Sequence, residues 1–484
     1  MNSNSQAVHL KKEILVRLAK AFLTDNFVEN VRLIPYDMRP KGSEVPYRCC
    51  IYKERAILKD RCIAGLGFSI EDDDETTLLS SYAQKALDRK EPERDPLTVL
   101  DAACKGCVPS RIYVTNLCQG CVARPCQATC KFGAISIVDG KSVIDGSKCK
   151  NCKMCITACP YNAIVKLVVP CEEACPVGAI TKDETGHARI DFDACINCGK
   201  CIDACPFAAV HEKSQLVDIL KNIKNGEKVI AMVAPSIVGQ FPGTIGQLKA
   251  AIKKIGFADV YEVAQGADIT TKNEAKEFKE RMENGEKFMT TSCCAGYNQF
   301  IKKHLPEIKP FVSTTQTPLY YTAEIVKKEI PDAVTVFVSP CVAKRTEGMD
   351  NPNVDYVLNY EELGALFVAK KIEILTCEDE SFKTDSSKQA RNFGVTGGVA
   401  KAVQDALPED EIAKPCIISG LNKDSIRLLK KCAKNGCTPD ETNIIEVMCC
   451  EGGCVRGNAT INNTKSAYKT LNEYVEQSSD IEKI

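Results

Sequence analysis

Tryptophan is absent from this 484-residue chain, and only four residues are histidine. So little imidazole argues against a haem centre or a zinc site built from histidines. An excess of one charge is lacking too: 63 Lys and Arg meet 64 Asp and Glu, a formal net charge of -1. That balance gives no reason to expect a nucleic-acid partner. No run approaches the roughly 18 apolar residues of a membrane span, and Ile164–Val169 is much too short, so no membrane partner is expected. The opening Met1-Asn-Ser-Asn-Ser-Gln lacks the basic start and apolar stretch of a secretion signal.

Cysteine is what the chain has, 29 residues of it. In a long chain this means either a secreted disulfide framework or metal clusters. Without a secretion signal the expected location is the reducing cytoplasm, where the thiols stay free to bind iron. A length near 480 suggests about three regions, and the composition places them at 1–95, 96–212 and 213–484. The first reads as a small helical region of unknown role: Leu10, Ile14, Leu15, Leu18 and Phe22 recur at helical spacing. Its Cys49, Cys50 and Cys62 read as buried structural thiols, and the acidic run Glu71–Glu75 as a solvated loop.

Residues 96–212 hold 16 cysteines. Ferredoxin-type runs follow Cys-x2-Cys-x2-Cys-x3-Cys-Pro, with the fourth cysteine ligating the neighbouring cluster. Cys149, Cys152, Cys155 and Cys159-Pro160 fit, as do Cys195, Cys198, Cys201 and Cys205-Pro206. Cys118, Cys121, Cys126 and Cys130 form a looser run; Cys171 and Cys175-Pro176 read as a worn-down one. Crossing the fourth ligands assigns Cys118, Cys121, Cys126 and Cys159 to one [4Fe–4S] cluster and Cys130, Cys149, Cys152 and Cys155 to the next. Cys175, Cys195, Cys198 and Cys201 make a third. Cys171 and Cys205 are left over, and the upstream Cys104-x2-Cys107 can complete a fourth with them. Structural zinc is a weaker reading, because zinc sites seldom use interleaved runs.

Residues 213–484 read as α/β. Short apolar runs at Lys287–Thr290, Val334–Val338 and Ile444–Met448 each lead into a cysteine loop: Cys293-Cys294, Cys341, and Cys449-Cys450 with Cys454. Ligands of an open α/β sheet gather beyond the carboxyl ends of its strands. Three strand ends that bring thiols to one point suit a metal cluster better than any disulfide scheme. Thr396-Gly397-Gly398 would let the backbone approach a ligand closely, and Asn462–Ile484 reads as a polar surface helix.

The loops Thr291–Gly296, Pro340–Glu347 and Glu446–Gly457, in this order behind a ferredoxin-like front end, resemble the three signatures of the iron-only, or [FeFe], hydrogenases. The likeness covers about residues 96–460. It implies a fold of parallel sheets with cysteine loops at strand ends, preceded by ferredoxin-like α+β [4Fe–4S] repeats. It implies that Cys294, Cys341, Cys450 and Cys454 hold a [4Fe–4S] cluster bridged through Cys454 to a two-iron centre with CO, cyanide and azadithiolate, the H-cluster. Lys344, Ser236 and the backbone of Pro235 would serve as donors around the cyanide, and Met448 borders the same centre. Cys293 would pass protons by way of Glu274, Ser313, Glu277 and Arg281. Glu274 and Glu277 are three apart, so a helix would put them on one face; without the resemblance they read as a solvated acidic face. The implied activity is reversible hydrogen oxidation under anaerobic conditions, with electrons passing through three to four accessory clusters to ferredoxin or a similar low-potential carrier. Maturation proteins would build the two-iron centre. The alternatives are a hydrogen sensor or an iron–sulfur scaffold. Ala295, Tyr297, Ser339 and Arg456-Gly457-Asn458 depart from the best-known members and look like the branch sometimes called group B.

Overall fold

The computed structural model describes residues 6–43, 48–109, 111–409 and 411–484. Four helices, Gln6–Phe22, Phe27–Met38, Ile51–Gly65 and Leu79–Asp88, open the chain. Ile14, Leu15, Leu18 and Phe22 turn one stripe of the first helix inward. This helix packs against Leu216–Lys224 and Tyr360–Lys370, both from the last region. Lys11 joins a buried ion network there, with Glu361 at 2.5 Å and Glu212 at 3.5 Å, while Arg345 meets Glu362 at 2.8 Å. The helical region is thus locked onto both of its neighbours.

Two expectations for this region need correction. Cys62 is fully buried, but Cys49 is exposed, because the pair lies just outside Ile51–Gly65 and only Cys62 falls within it. The acidic run is an anchor as well as a loop. Glu71 accepts from Val99 N–H at 2.9 Å, and Asp73 takes Lys59 Nζ at 3.0 Å and Tyr82 Oη–H at 3.1 Å.

The middle region contains two copies of one α+β unit, one nested inside the other. In the inner copy Arg111–Val114 pairs antiparallel with Ile164–Leu167, enclosing the helix Pro125–Thr129, the hairpin Ile135–Val138/Lys141–Ile144 and the helix Met154–Ala158. In the outer copy Leu97–Val99 pairs with Val210–Glu212, enclosing Pro170–Ala174, the hairpin Ile180–Lys182/Ala188–Ile190 and Lys200–Ala204. Since Leu97–Val99 precedes the whole inner copy, Cys104 and Cys107 are the first half of an interrupted run. Cys171 and Cys175 are its second half, and the run is split rather than worn down. After each fourth cysteine the chain turns through a positive φ, at Gly133, Asn162, Gly178 and Ala208. That turn aims the N–H of the next residue back at sulfur: Ala134 to Cys130 at 3.4 Å, Ala179 to Cys175 at 3.2 Å and Ala209 to Cys205 at 3.4 Å.

The last region holds two parallel sheets. One orders Asp259–Glu262, Val229–Val233, Val334–Val338 and Tyr356–Leu358; the other orders Met289–Thr290, Ile444–Met448 and Pro415–Ser419. Helices cover them, so Val229–Val233 and Ile444–Met448 are buried throughout; the first is a continuous apolar run and the second is apolar but for Glu446. The cysteine loops therefore leave two sheets, not one: Cys341 follows the first, and Cys294, Cys450 and Cys454 follow the second. The tail forms the helix Thr464–Glu476, which is more than surface, since it buries Ala467, Leu471 and Val475.

Candidate metal centre

Each thiol of the central site is delivered by a strand. Met289–Thr290 runs into Thr291–Cys294, and Cys294 immediately precedes the helix Ala295–His304. Val334–Val338 runs into Ser339–Cys341, ahead of the helix Ala343–Asp350. Ile444–Met448 runs into Cys449-Cys450, and Cys454 opens the single turn Cys454–Arg456. Cys294, Cys341, Cys450 and Cys454 all line one cavity of about 90 Å³. Gly453, at φ 89°, allows the last approach: a Cβ there would meet Gly394 O at 2.7 Å.

Burial pushes the Cys341 and Cys454 thiols up to about 12, and Cys450 well above its ordinary value; neighbouring thiols add to each rise. Cys294 moves the other way, to about 6, because the Cys449 thiol hydrogen-bonds it and Cys449 N–H lies 3.5 Å from its sulfur. The other three sulfurs, packed together in this way, ionise readily only beside positive charge. Thiolate donors of this number suit iron–sulfur ligation, so the residues fit a cluster. Among the described residues no three Cys, His, Asp or Glu converge tightly enough to hold a single metal ion; these thiols rim a void instead.

Around this rim stand Cys293, Lys344, Ser236, Pro235 and Met448. Burial and the nearby Glu274 carboxyl push the Cys293 thiol well up. Glu274 lies on the helix Ala264–Glu283, fully buried, with no hydrogen-bond partner for either oxygen. Burial raises it to about 8, against partial relief from the neighbouring Ser313 hydroxyl and Ser292 N–H. The reading of both glutamates as a solvated face therefore fails. One turn on, Glu277 accepts from Ser313 Oγ at 2.9 Å, Thr314 N–H at 2.8 Å and Arg281 Nη2 at 2.8 Å. Burial opposes its charge, but these donors outweigh it and hold the carboxyl below the usual range. Arg281 also donates to Val312 O at 3.0 Å and Pro310 O at 2.8 Å. The five residues thus follow one another outward from the cavity.

Lys344 Nζ is not idle: it donates to both oxygens of Glu347, at 2.8 and 2.7 Å, and to Cys293 O at 3.2 Å. Ser236 Oγ pairs with the buried Tyr360 hydroxyl at 2.8 Å. Ser339 lines the cavity, and Tyr297, fully buried, reaches Thr290 Oγ1 at 3.1 Å.

Sequence reasoning missed four participants: Glu347, Tyr360, Cys449 and Glu446. Glu446 is wholly buried and accepts from Gly397 N–H at 2.6 Å and Ala400 N–H at 2.9 Å. The glycine pair therefore brings the backbone up to this carboxylate, at the start of the helix Gly398–Ala406. A buried acid inside the third loop, with a Gly-Gly helix start elsewhere, was the available signal.

In the middle region three smaller cavities are each rimmed by four cysteines. One takes Cys118, Cys121, Cys126 and Cys159; another Cys130, Cys149, Cys152 and Cys155; the last Cys104, Cys107, Cys171 and Cys205. Cys175, Cys195 and Cys198 are close enough to Cys201 to add to the rise that burial gives its thiol. Cys198 also lines the central cavity, so this set lies beside it. Lys303 Nζ fastens the join by donating to Phe192 O and Cys195 O, both at 2.7 Å.

Repeated ferredoxin-type units thus abut a thiol-lined cavity between parallel sheets, an arrangement that suits an iron–sulfur protein. Residues 227–458 match the family described as iron only hydrogenase large subunit, C-terminal domain. Residues 170–209 match a 4Fe-4S dicluster domain, and 142–165 a 4Fe-4S binding domain. Over these stretches the chain is similar to the [FeFe]-hydrogenases, with segments similar to 4Fe-4S domains ahead of the matched hydrogenase domain. It is 28% identical over 312 residues to the NADP-reducing hydrogenase subunit HndD of Solidesulfovibrio fructosivorans, covering 51% of this chain and 53% of that one. It is 31% identical over 221 residues to the periplasmic [Fe] hydrogenase large subunit of Nitratidesulfovibrio vulgaris, covering 39% and 52%. The chain thus spans about half the length of the curated relatives it matches. A variant of the [FeFe]-hydrogenase HydA1 from Chlamydomonas reinhardtii superposes with a TM-score of 0.43 at 18% identity, over 53% of this chain and 88% of that one. No helix among the described residues is long and apolar enough to cross a membrane.

Proposed function

We propose that this protein is a ferredoxin-linked [FeFe]-hydrogenase, catalysing H2 ⇌ 2H⁺ + 2e⁻. The observation that carries the reading is one buried cavity where four thiols from three strand ends meet, with Cys293 and Cys198 both on its wall. Cys294, Cys341, Cys450 and Cys454 hold the H-cluster, whose two-iron centre when bound supplies the chemistry that makes and splits hydrogen. The chain's own residues do the rest. Lys344, kept charged by Glu347, directs a cationic donor into the cavity, and Ser236, steadied by Tyr360, places a hydroxyl there. Cys293 exchanges a proton with the interior, and Glu274, near 8, can both accept and release it around neutral pH. Ser313, Glu277 and Arg281 carry it to the surface.

Electrons travel by way of the Cys175, Cys195, Cys198 and Cys201 cluster and on through three more, each held by one of the cysteine sets of the middle region. From Lys105 to Lys166 nine Lys or Arg meet only two Asp, which favours an acidic carrier such as ferredoxin. Free thiols at all 29 cysteines suit a cytoplasmic location. We also infer that the work divides at residues 95 and 212, and that dedicated maturation proteins install the two-iron centre. A sensor or scaffold would not need the proton row from Cys293 to Arg281.

Infrared spectra and hydrogen-dependent dye reduction, measured on anaerobically matured protein, test the reading. Bands from metal-bound CO and cyanide together with turnover are expected. Bands without turnover would favour the sensor, and neither would favour the scaffold.

A further inference from the structure

Two arginines of the N-terminal region fasten the segments that carry two cysteines of the outer copy. Arg48 gives Nη2 to Ala103 O at 3.4 Å, one residue before Cys104, and its guanidinium lies 5.3 Å from the centre of the Phe207 ring. Arg61, in the helix Ile51–Gly65, gives Nη2 to Phe207 O at 3.4 Å, two residues after Cys205. Asp60, its neighbour on that helix, accepts from Ala102 N–H at 3.2 Å. Pro206 and Phe207 in turn wall the cavity rimmed by Cys104, Cys107, Cys171 and Cys205. The helix is thus fixed against both sides of this cysteine set.

Arg61 brings an unneutralised charge to that place. It is 2% exposed, and its Nε and Nη1 are buried without a hydrogen-bond partner. Burial and Arg48 lower it, to about 10, against the opposing effect of Asp60 and Cys205, so it stays charged at neutral pH. The carboxylates nearby are Asp60, which burial raises to about 6, and Glu54, which pairs with Arg39 and takes the backbone N–H of Arg48. Neither hydrogen-bonds the guanidinium of Arg48 or Arg61.

We propose that Arg61, aided by Arg48, raises the reduction potential of the iron–sulfur cluster held by Cys104, Cys107, Cys171 and Cys205, and that this is a task of the N-terminal helices. The proposal rests on the reading of those four thiols as cluster ligands. A cluster on four thiolates is anionic and gains one more negative charge on reduction, so its potential follows the charge around it. A buried cation is little screened by water or salt and favours the reduced form strongly. The cations lining the cavity of Cys130, Cys149, Cys152 and Cys155 are Lys150 and Lys153, both exposed, so they act more weakly. Electrons shared between these two sets therefore settle in the outer copy.

Potentiometric titration followed by electron paramagnetic resonance, on the full chain with its clusters assembled anaerobically, tests the proposal. Cys104→Ser with Cys107→Ser identifies the signal, which should disappear together with about four irons. In Arg61→Gln its midpoint should fall. At the parent's midpoint the reduced-to-oxidised ratio should drop by about tenfold, or about 59 mV for one electron. Arg61→Lys should recover most of that shift, and the midpoints of the other clusters should stay in place. Arg48→Gln should lower the same midpoint by less, and it decides the matter alone if Arg61→Gln fails to load its irons. An unchanged midpoint in the loaded variants, or an equal shift of every cluster, overturns the proposal. If the double cysteine variant loses neither signal nor iron, the cluster assignment itself fails, and the proposal with it.

Discussion

The thiols of the middle region and those of the last region reach their cavities by different routes. In the middle region the thiols sit on short pieces, a loop and one helical turn, with a positive-φ corner three residues after Cys130, Cys159, Cys175 and Cys205. Their cavities are small, at about 20 Å³, and Cys152 is exposed. In the last region four thiols come from three strand ends, Thr290, Val338 and Met448, 48 to 158 residues apart, and enclose a larger, mainly apolar space. In the proposed hydrogenase the first design would put redox groups near a surface where a carrier can exchange electrons. The second would keep water from the reacting centre and admit protons only where a side chain stands. On that reading, local motifs make wires and converging strands make a reaction chamber.

The sharpest way to break this comparison is to remove a strand-end thiol. Cys454→Ser or Cys341→Ala should abolish the CO and cyanide bands and all hydrogen turnover while the middle-region clusters persist in electron paramagnetic resonance. Full-strength bands in either variant would show that the cavity is held by other ligands.

Next in size is the proton entrance. Cys293→Ala should keep its metal and its bands but lose turnover by about 10²–10⁴-fold, the usual contribution of a placed acid–base group. Cys293→Asp should recover part of the rate. Parental turnover in Cys293→Ala would mean that protons enter the chamber elsewhere.

The wire should tolerate injury better than the chamber. Cys104→Ser with Cys107→Ser should lower iron from about 22 to about 18 per chain, at four irons per cluster. Turnover with a small artificial donor should stay near parental. An unchanged iron content removes the fourth accessory cluster from the scheme.

The smallest effect concerns stability. Glu274 stands at about 8 in the folded chain against an ordinary 4.5, so the folded state keeps a proton that the unfolded chain releases. Its stabilising contribution is complete below pH 4.5 and is lost as pH rises through 8. Glu274→Gln should therefore melt a few degrees above the parent at pH 9 and match it near pH 4.5. Parallel pH profiles would place this carboxyl in contact with water.

The two regions also differ in how much the sequence disclosed. The runs from Cys118 to Cys205 were legible because ligand spacing within one turn or hairpin is a local property. The one misreading there, Cys171 and Cys175 as a worn-down run, arose because the inner copy separates Cys107 from Cys171 by a whole domain unit. In the last region the strands before Cys341 and Cys450 were readable as mainly apolar runs, each interrupted by one polar residue, Thr335 or Glu446, since parallel strands are buried on both faces. Glu347, Tyr360 and Glu446 were not, because nothing local distinguishes a buried charge from a solvated one.

The sequence by itself pointed to the chemistry: twenty of the 29 cysteines stand where cluster ligands are expected, and three cysteine loops each follow a strand. Spacing and apolar period are set by bonds and turns within a few residues, so they survive in the linear chain. Tertiary structure alone decided which charges are buried and what they meet. It paired Lys344 with Glu347, and it sealed the Glu274 carboxyl and two Arg61 nitrogens, Nε and Nη1, away from water. Those outcomes depend on desolvation by residues far away in sequence, and desolvation exists only after the chain has packed.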